Sequence, residues 1–248
     1  MVEVTSSRWV SYIGWNDVPH LDEKTKDEIR AATPPHLRKV VEFGIPEIGA
    51  GAIYPVSLDQ VLVKPFEIPV FWKRVFALDV GWRVTAALWA AWDASNDILY
   101  FYSEHRREEA LPAVHAAAIQ ARGEWIPGLV DPASRARSQH DGLRLIEMYR
   151  EYGLDLIPAK NDVEAGLHKV WEMLSQGRIR VFSTLIDFQN EYRVYRRDDK
   201  GKVVKVNDHL MDCMRYIVMG YRERAATQPF GGKTVFSESN ELIPVTGY

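Results

Sequence analysis

The 248-residue sequence contains a single cysteine, Cys213, and so cannot form an internal disulfide. Disulfides are typical of secreted domains, and their absence favours a reducing compartment such as the cytosol. The sequence also lacks an apolar run of about 18 residues or more, which a membrane-spanning helix requires. Its first residues have neither the basic start nor the apolar core of a signal peptide. These absences argue against a secreted protein and against one that spans a membrane.

The sequence has no excess of charge of either sign that would indicate its partner. Lysine and arginine number 31 and aspartate and glutamate 34, which gives a net charge of −3. A nucleic-acid-binding protein would then need a local basic surface, offset by acidic residues elsewhere. A phosphate loop of the form GxxxxGK[ST] is also lacking, since the glycine-containing residues 44–50 include no lysine. The sequence therefore predicts no ATPase activity.

Three regions differ in composition. Residues 1–70 are punctuated by prolines and tryptophans, with one plausible helix at 22–31, and are typical of an arm or linker. Residues 71–222 have regular apolar periodicity and predict one folded domain. Residues 223–248 are rich in glycine and proline and predict a flexible tail.

The folded region predicts an α/β domain. Apolar runs at 74–80, 85–93 and 98–103, joined by short polar connections, are typical of an antiparallel meander. Helices and strands then alternate, with helices predicted at 108–122, 140–152, 163–175 and 183–192, and strands at 125–130, 154–158 and 178–182. This order predicts a mixed central β-sheet with helices on both faces.

Four aspartates and one histidine stand out by position. Asp79 ends a buried strand and Asp131 ends another, and a carboxylate is costly to bury unless it is paired or binds a metal. Asp208 and Asp212 are four apart at the start of a helix and therefore share one face, next to His209. Each alone has a simpler explanation, a turn former or a helix N-cap. Together they form the ligand set of a two-metal phosphodiesterase, with two Mg²⁺ or Mn²⁺ ions.

Four stretches of the chain resemble the nuclease of the large terminase subunit of tailed bacteriophages. They are 78–81 (LDVG), 130–134 (VDPAS), 153–160 (GLDLIPAK) with the glycine-containing helix after it, and 207–216 (NDHLMDCMRY). The last is the most specific, because it combines D-H-x-x-D at a helix start with a following Arg-Tyr. The resemblance covers about residues 70–220 and implies an RNase H-like fold.

The resemblance also implies roles for the acidic residues. Asp79, Asp131 and Asp212 would bind the metal ions, and Asp208 would be a further ligand or support one. His209 would orient a ligand or the scissile phosphate. Whether Asp208 or Asp212 is the stronger ligand is left open.

The family implies double-stranded DNA as the substrate and no membrane. It also implies a packaging ATPase domain, a small terminase subunit and a portal or procapsid as partners, in the host cytoplasm. Residues 9–21 and 51–69 resemble the stretch that joins this ATPase to its nuclease. We therefore expect the chain to be the nuclease part of a longer polypeptide.

A basic hairpin precedes the acidic helix and predicts a DNA-binding surface. Residues 198–201 form a turn signal between two arms within 192–206. The basic residues here are Arg193, Arg196, Arg197, Lys200, Lys202 and Lys205, which could hold the phosphate backbone without reading sequence. Weaker candidates are Arg83, Arg135, Arg137 and Lys160. A solvated edge hairpin, where lysines block aggregation, is the simpler alternative.

Two other functions fit the same features. Another RNase H-like nuclease, such as a junction resolvase or an RNA-strand hydrolase, has similar strands and scattered acids. A non-catalytic module that binds DNA or the portal would use the acids structurally, although clustered carboxylates without a cation repel one another. The D-H-x-x-D helix with its Arg-Tyr favours the terminase nuclease, which would cut concatemeric viral DNA with little sequence preference.

Overall fold

The computed structural model describes residues 2–5, 8–10, 13–32, 42–43, 51–81, 83–131, 146–198 and 200–229. None of the helices in these ranges is long and apolar enough to cross a membrane. The predicted tail at 223–248 lies mostly outside them, as do Arg135 and Arg137.

A seven-stranded sheet forms the centre of the molecule. Its strands are β3 (Leu62–Val63), β4 (Lys73–Val80), β5 (Val84–Asp93), β6 (Ile98–Glu108), β7 (Gly128–Val130), β8 (Leu156–Pro158) and β9 (Ile179–Phe182), in the order β3-β9-β6-β5-β4-β7-β8. The neighbours β4–β5 and β5–β6 are antiparallel, and the other pairs are parallel. The predicted meander and mixed sheet are therefore confirmed. A separate two-stranded ribbon pairs β1 (Val2–Thr5) with β2 (Arg8–Val10).

Helices cover both faces of the sheet, as predicted. The helices are α1 (Glu23–Ala32), α2 (Leu58–Val61), α3 (Pro112–Gln120), α4 (Val163–Ser175), α5 (Ile186–Val194) and α6 (His209–Arg224), and residues 146–151 are also helical. Buried side chains of α4, α5 and α6 share one core with one side of the sheet, which we call the α6 face. Buried side chains of α3 and of residues 146–151 share a second core with the other side, the α3 face.

Alternate residues of β4 and β5 divide between these cores. On β4, Val75 and Ala77 belong to the α6 face, whereas Phe76 and Leu78 belong to the α3 face. This is the period-2 alternation of a strand that is buried on both sides. Asp79 therefore follows Ala77 onto the α6 face.

Several element boundaries differ from the predictions, among them the end of β6, the start of α3 and the end of α5. Strand β6 continues to Glu108, and α3 begins only at Pro112, since proline is well tolerated in the first turn of a helix. Helix α5 extends to Val194, because Phe188 and Tyr192, four residues apart, are both buried. Arg193 thus lies on a helix rather than in the predicted hairpin.

The hairpin itself is reduced to a short turn. A bridge joins Arg197 to Val203, and the backbone N–H of Gly201 donates to the carbonyl of Asp198. The arms form no regular strands among the described residues.

The chain before residue 70 contributes to the core. Strand β3 pairs with β9 at one edge of the sheet, and Tyr54, Val56 and Val61 are buried in the core of the α6 face. The part of the predicted arm from Tyr54 to Val63 is therefore packed against the folded domain.

Candidate active site

Two aspartates lie side by side where neighbouring parallel strands end. In the pairing of β4 with β7, Leu78 is opposite Val130, and the backbone N–H of Asp131 donates to the carbonyl of Leu78. Asp79 and Asp131 are the next residues in this register. Leu129, two residues before Asp131, lies in the core of the α6 face, so alternation directs Asp131 to the same side as Asp79.

The start of α6 brings the second pair of aspartates over these strand ends. Helix α6 packs on β4, β5 and β7 through buried residues such as Leu210, Met214 and Ile217. Asp208 occupies its N-cap position, but the Asp208 side chain makes no capping hydrogen bond. Its carboxylate is thus not used in the way that a helix start alone would predict.

Glu191 of α5 caps the helix instead. Its Oε2 accepts a hydrogen bond of 2.6 Å from the backbone N–H of Leu210, and Nε of Arg106 lies 3.6 Å from its other oxygen. Glu191 is 3% exposed, and burial raises its pKa to about 7. Because Glu191 accepts from the backbone N–H of Leu210, the carboxylate of Asp208 is not needed for this bond and can take part in the site.

His209 connects the helix to the first strand. Its Nδ1 lies 2.7 Å from Oδ2 of Asp79. This hydrogen bond is the main cause that raises the pKa of His209, with burial acting in the opposite direction. When His209 is protonated, its charge compensates that of Asp79.

Arg215 holds Asp212 from inside the protein. Its Nη2 and Nε donate to Oδ1 of Asp212 over 3.0 and 3.3 Å, and its Nη1 donates to Oδ1 of Asn161 over 3.2 Å. The Arg215 side chain is only 1% exposed. It passes over Gly166 of α4, where an added Cβ would lie 2.6 Å from Cγ of Arg215.

Lys205 bridges Asp208 and Asp212 from the solvent side. Its Nζ lies 3.0 Å from Oδ2 of each. The contact with Asp212 is a hydrogen bond, whereas the contact with Asp208 lacks hydrogen-bond alignment and is an ion pair only. Burial lowers the pKa of Lys205, but the charges of Asp212 and Asp208 outweigh this effect and the pKa is raised.

Three of the aspartates lie close enough for their charges to influence one another. Burial is the main cause that raises the pKa of Asp79; the bond to His209 opposes it, and the charges of Asp131 and Asp212 raise it further. The pKa of Tyr216 is raised chiefly by burial and in addition by the charges of Asp212, Asp131 and Asp79. The structure therefore places Asp79, Asp131 and Asp212 near one another on the α6 face.

The donor set fits a divalent metal ion. Mg²⁺ and Mn²⁺ prefer carboxylate oxygens, and Oδ2 of Asp208 is buried without a hydrogen-bond donor among the described residues. No three acidic, histidine or cysteine side chains in the described ranges are already close enough to surround one ion. Instead Lys205, Arg215 and His209 compensate the carboxylates, as clustered negative charge requires.

The predicted DNA-binding residues fall into two groups. Some are engaged within the protein: Arg197 with Glu164, Lys160 with Glu223, Lys205 with the aspartates, and Arg193 with Gln189 and Asn190. Four others are exposed and form no ion pair with a residue that the structure describes: Arg83, Arg196, Lys200 and Lys202. Arg135 and Arg137 lie outside the described residues.

Three residues at the site were not predicted from the sequence as contributors. Glu191 and Asn161 reach it from other elements, and no local pattern marks them. Arg215 was noticed only as part of the Arg-Tyr motif. Its spacing of three from Asp212 on a helix is the signal that could have indicated their contact.

Comparisons with known proteins identify the family of this chain. Residues 77–220 match the family model described as the terminase RNaseH-like domain. The large terminase subunit of Enterobacteria phage LP7 is 30% identical in an alignment of 218 residues, and the match covers 84% of this chain and 45% of that protein. The chain thus spans less than half the length of this relative.

Solved structures share the fold. The nuclease domain of the P22 large terminase superposes with a TM-score of 0.68 at 28% identity, over 72% of this chain and 96% of that domain. The nuclease domain of g2p, the large terminase of bacteriophage SPP1, solved with bound Mn, superposes with a TM-score of 0.52 at 16% identity, over 65% and 96%. The predicted RNase H-like fold is therefore confirmed, and the chain belongs to the terminase RNase H-like domain family.

Proposed function

We propose that this chain is the nuclease part of a large terminase subunit and hydrolyses phosphodiester bonds of double-stranded viral DNA during packaging. The observation that carries the proposal is the convergence of Asp79, Asp131 and Asp212 on one face of the sheet. The family membership supports the same function. In the phage, the partners would be a packaging ATPase domain, a small terminase subunit and a portal, all in the host cytoplasm.

Divalent metal ions, two Mg²⁺ or Mn²⁺, are the proposed cofactors. When bound, such ions polarise the phosphate and lower the pKa of an attacking water. Asp79, Asp131 and Asp212 would hold them, and Asp208 would add a further oxygen from the helix start. The Mn in the SPP1 nuclease supports a divalent ion in this fold.

The remaining residues of the site would position these ligands. Arg215, which is itself held by Asn161, fixes the Asp212 carboxylate, and Glu191 fixes the first turn of α6. His209 orients Asp79 and can hold a proton on the imidazole beside it. Positioning of this kind matters because catalysis depends on ligand geometry at the sub-ångström scale.

The exposed basic residues would hold the DNA backbone. Arg196, Lys200 and Lys202 lie on the hairpin that leads into α6, and Arg83 follows β4. Contacts of this kind bind phosphates by charge and do not discriminate bases. We therefore expect cutting with little sequence preference.

The test is cleavage of supercoiled plasmid with Mn²⁺ or Mg²⁺ by the wild type, Asp79→Asn and Asp59→Asn. Metal ions contribute several kcal/mol to such reactions, so Asp79→Asn should reduce the rate by at least about 1,000-fold. Asp59 is exposed on α2, away from the site, and its substitution should leave the rate unchanged. EDTA should abolish cleavage by all three.

Substrate choice separates the proposal from other RNase H-like nucleases. Duplex DNA should be cut faster than a four-way junction or an RNA–DNA hybrid. A preference for the junction or the hybrid would assign the site to a different nuclease. Cleavage by Asp79→Asn at the wild-type rate would show that the site is elsewhere, and binding of DNA without any cleavage would favour a non-catalytic module.

A further inference from the structure

Among the described residues, two cations contact Asp212, and they differ in how exposed they are. Arg215 is buried, with 1% of its side chain exposed, and is fixed by Asn161 and by its packing over Gly166. Lys205 reaches the same carboxylate from the surface, and 57% of its side chain is exposed. Only Lys205 can therefore leave the site without breaking buried packing.

The position of the Lys205 ammonium is that of a counter-ion shared by two carboxylates. Its Nζ lies 3.0 Å from Oδ2 of Asp208 and 3.0 Å from Oδ2 of Asp212, and both aspartates are largely buried. The Asp208 oxygen has this ion pair but no hydrogen-bond donor among the described residues. An ion pair without directed hydrogen bonds is exchanged more readily for another cation than one with them.

From this geometry we propose that Lys205 is a built-in counter-ion of the metal-free site, displaced when a divalent metal ion binds Asp208 and Asp212. The ammonium keeps the two carboxylates close together before metal binds, and its exposed stem lets it swing into solvent afterwards. Lys205 is thus a positioning residue that competes with the metal. The inference rests on the proposed function, since it requires that the aspartates bind metal.

The opposite role would be a phosphate-binding lysine that does not compete with metal. In that case loss of Lys205 would weaken DNA binding. The affinity for the metal ion would then change only as much as it does when another nearby positive charge is removed. Lys202 provides the matched control, because it is an exposed lysine of the same hairpin with no ion pair to a described residue. Lys202→Met removes the same charge without removing the bridge.

The experiment measures Mn²⁺ affinity by calorimetry, and thermal unfolding in EDTA and in saturating Mn²⁺, for the wild type, Lys205→Met and Lys202→Met. We expect Lys205→Met to bind Mn²⁺ roughly two- to tenfold more tightly than Lys202→Met, the scale of a partly exposed ion pair. In EDTA the Tm of Lys205→Met should be below that of Lys202→Met, and in saturating Mn²⁺ this difference should disappear.

The outcomes separate the two proposals. Mn²⁺ affinity of Lys205→Met equal to or weaker than that of Lys202→Met would overturn the counter-ion role, as would an unchanged Tm in EDTA. If the wild type does not bind Mn²⁺ at all, while its thermal unfolding shows that it is folded, the metal-dependent function itself fails.

Discussion

The α6 face and the α3 face are built from alternate residues of the same strands, yet they bury different chemistry. On the α3 face, Phe76 stacks on Trp89 with ring centroids 5.7 Å apart, and Leu78 packs beside them. On the α6 face, Asp79 lies two residues after Ala77 and therefore on the same side of the strand. Helix α6, whose N-terminal end carries Asp208 and Asp212, covers this position. One side of a strand thus stabilises the fold while the other side carries the proposed metal ligands.

The difference lies in what each face needs in order to be stable. An apolar face is stable when its side chains fill the available space, so its residues can be exchanged for others of similar size and shape. A face with buried charge requires a partner for every charge, because an unpaired buried ion is strongly destabilising. Arg215, His209 and Lys205 are these partners on the α6 face.

The variant with the largest expected change in stability is Phe76→Ala on the α3 face. Phe76 is 1% exposed, and its loss leaves a cavity beside Trp89, so the free energy of unfolding should fall by about 3–5 kcal/mol. Mn²⁺ affinity of the folded variant should remain as in the wild type. Urea unfolding and calorimetry measure the two quantities.

Phe71→Ala is the matched control, because Phe71 is 72% exposed. It should change the free energy of unfolding by less than about 0.5 kcal/mol. A folded Phe76→Ala variant that has lost Mn²⁺ binding would show that the two faces are not independent.

A smaller effect on stability but a specific effect on the site is expected for Gly166→Ala. The added Cβ would lie 2.6 Å from Cγ of Arg215 and displace the side chain that holds Asp212. Overpacking of this kind costs about 1–3 kcal/mol, and Mn²⁺ affinity should fall as Asp212 loses its fixed orientation.

Gly220→Ala is the control, since its Cβ would instead meet the apolar side chain of Leu129 at 2.9 Å. A similar loss of stability without loss of Mn²⁺ affinity is expected there. Equal affinities for the two variants would mean that Arg215 does not position the ligand.

The smallest effect concerns the pH dependence of stability on the α6 face. Glu104 of β6 accepts hydrogen bonds from the backbone N–H groups of Asp187 and Phe188, and burial raises its pKa from 4.5 to about 7. A raised carboxyl pKa means that ionisation costs more in the folded state. The stability of the wild type relative to Glu104→Gln should therefore be greatest below about pH 4.5 and should decrease until about pH 7.

The expected decrease is on the order of 1 kcal/mol, measured by urea unfolding of both proteins at pH 4.5 and pH 8. Glu67→Gln, at an exposed position, controls for the removal of a carboxylate. A difference that grows with pH would contradict the assigned direction of the shift.

Much of the fold followed from local patterns in the sequence. The meander at β4 to β6 and the helix Val163–Ser175 were predicted because strand alternation, helix periodicity and turn residues are local signals. The boundaries that were missed depend on contacts from elsewhere. Helix α5 runs on to Val194 because Tyr192 packs into the core, and no turn residue in the sequence marks that end.

The candidate site divides in the same way. Asp79, Asp131 and the pair Asp208 and Asp212 could be selected from the sequence, because carboxylates at strand ends and one turn apart on a helix are visible there. Their metal-binding roles stay predictions. Glu191 could not be selected, since its capping of α6 joins two helices through a single buried hydrogen bond.

The sequence by itself determined where most strands and helices lie, which carboxylates are candidates for metal binding, and which family the chain resembles. Only the tertiary structure decided that the Asp208 side chain does not cap its own helix and that His209 contacts Asp79. It also decided that Lys205 bridges two aspartates, whereas Arg197 pairs with Glu164. The physical reason is the separation along the chain of the residues that interact. Backbone periodicity is set by neighbours in sequence, whereas the pairing of charges depends on distances between residues that are far apart in the chain.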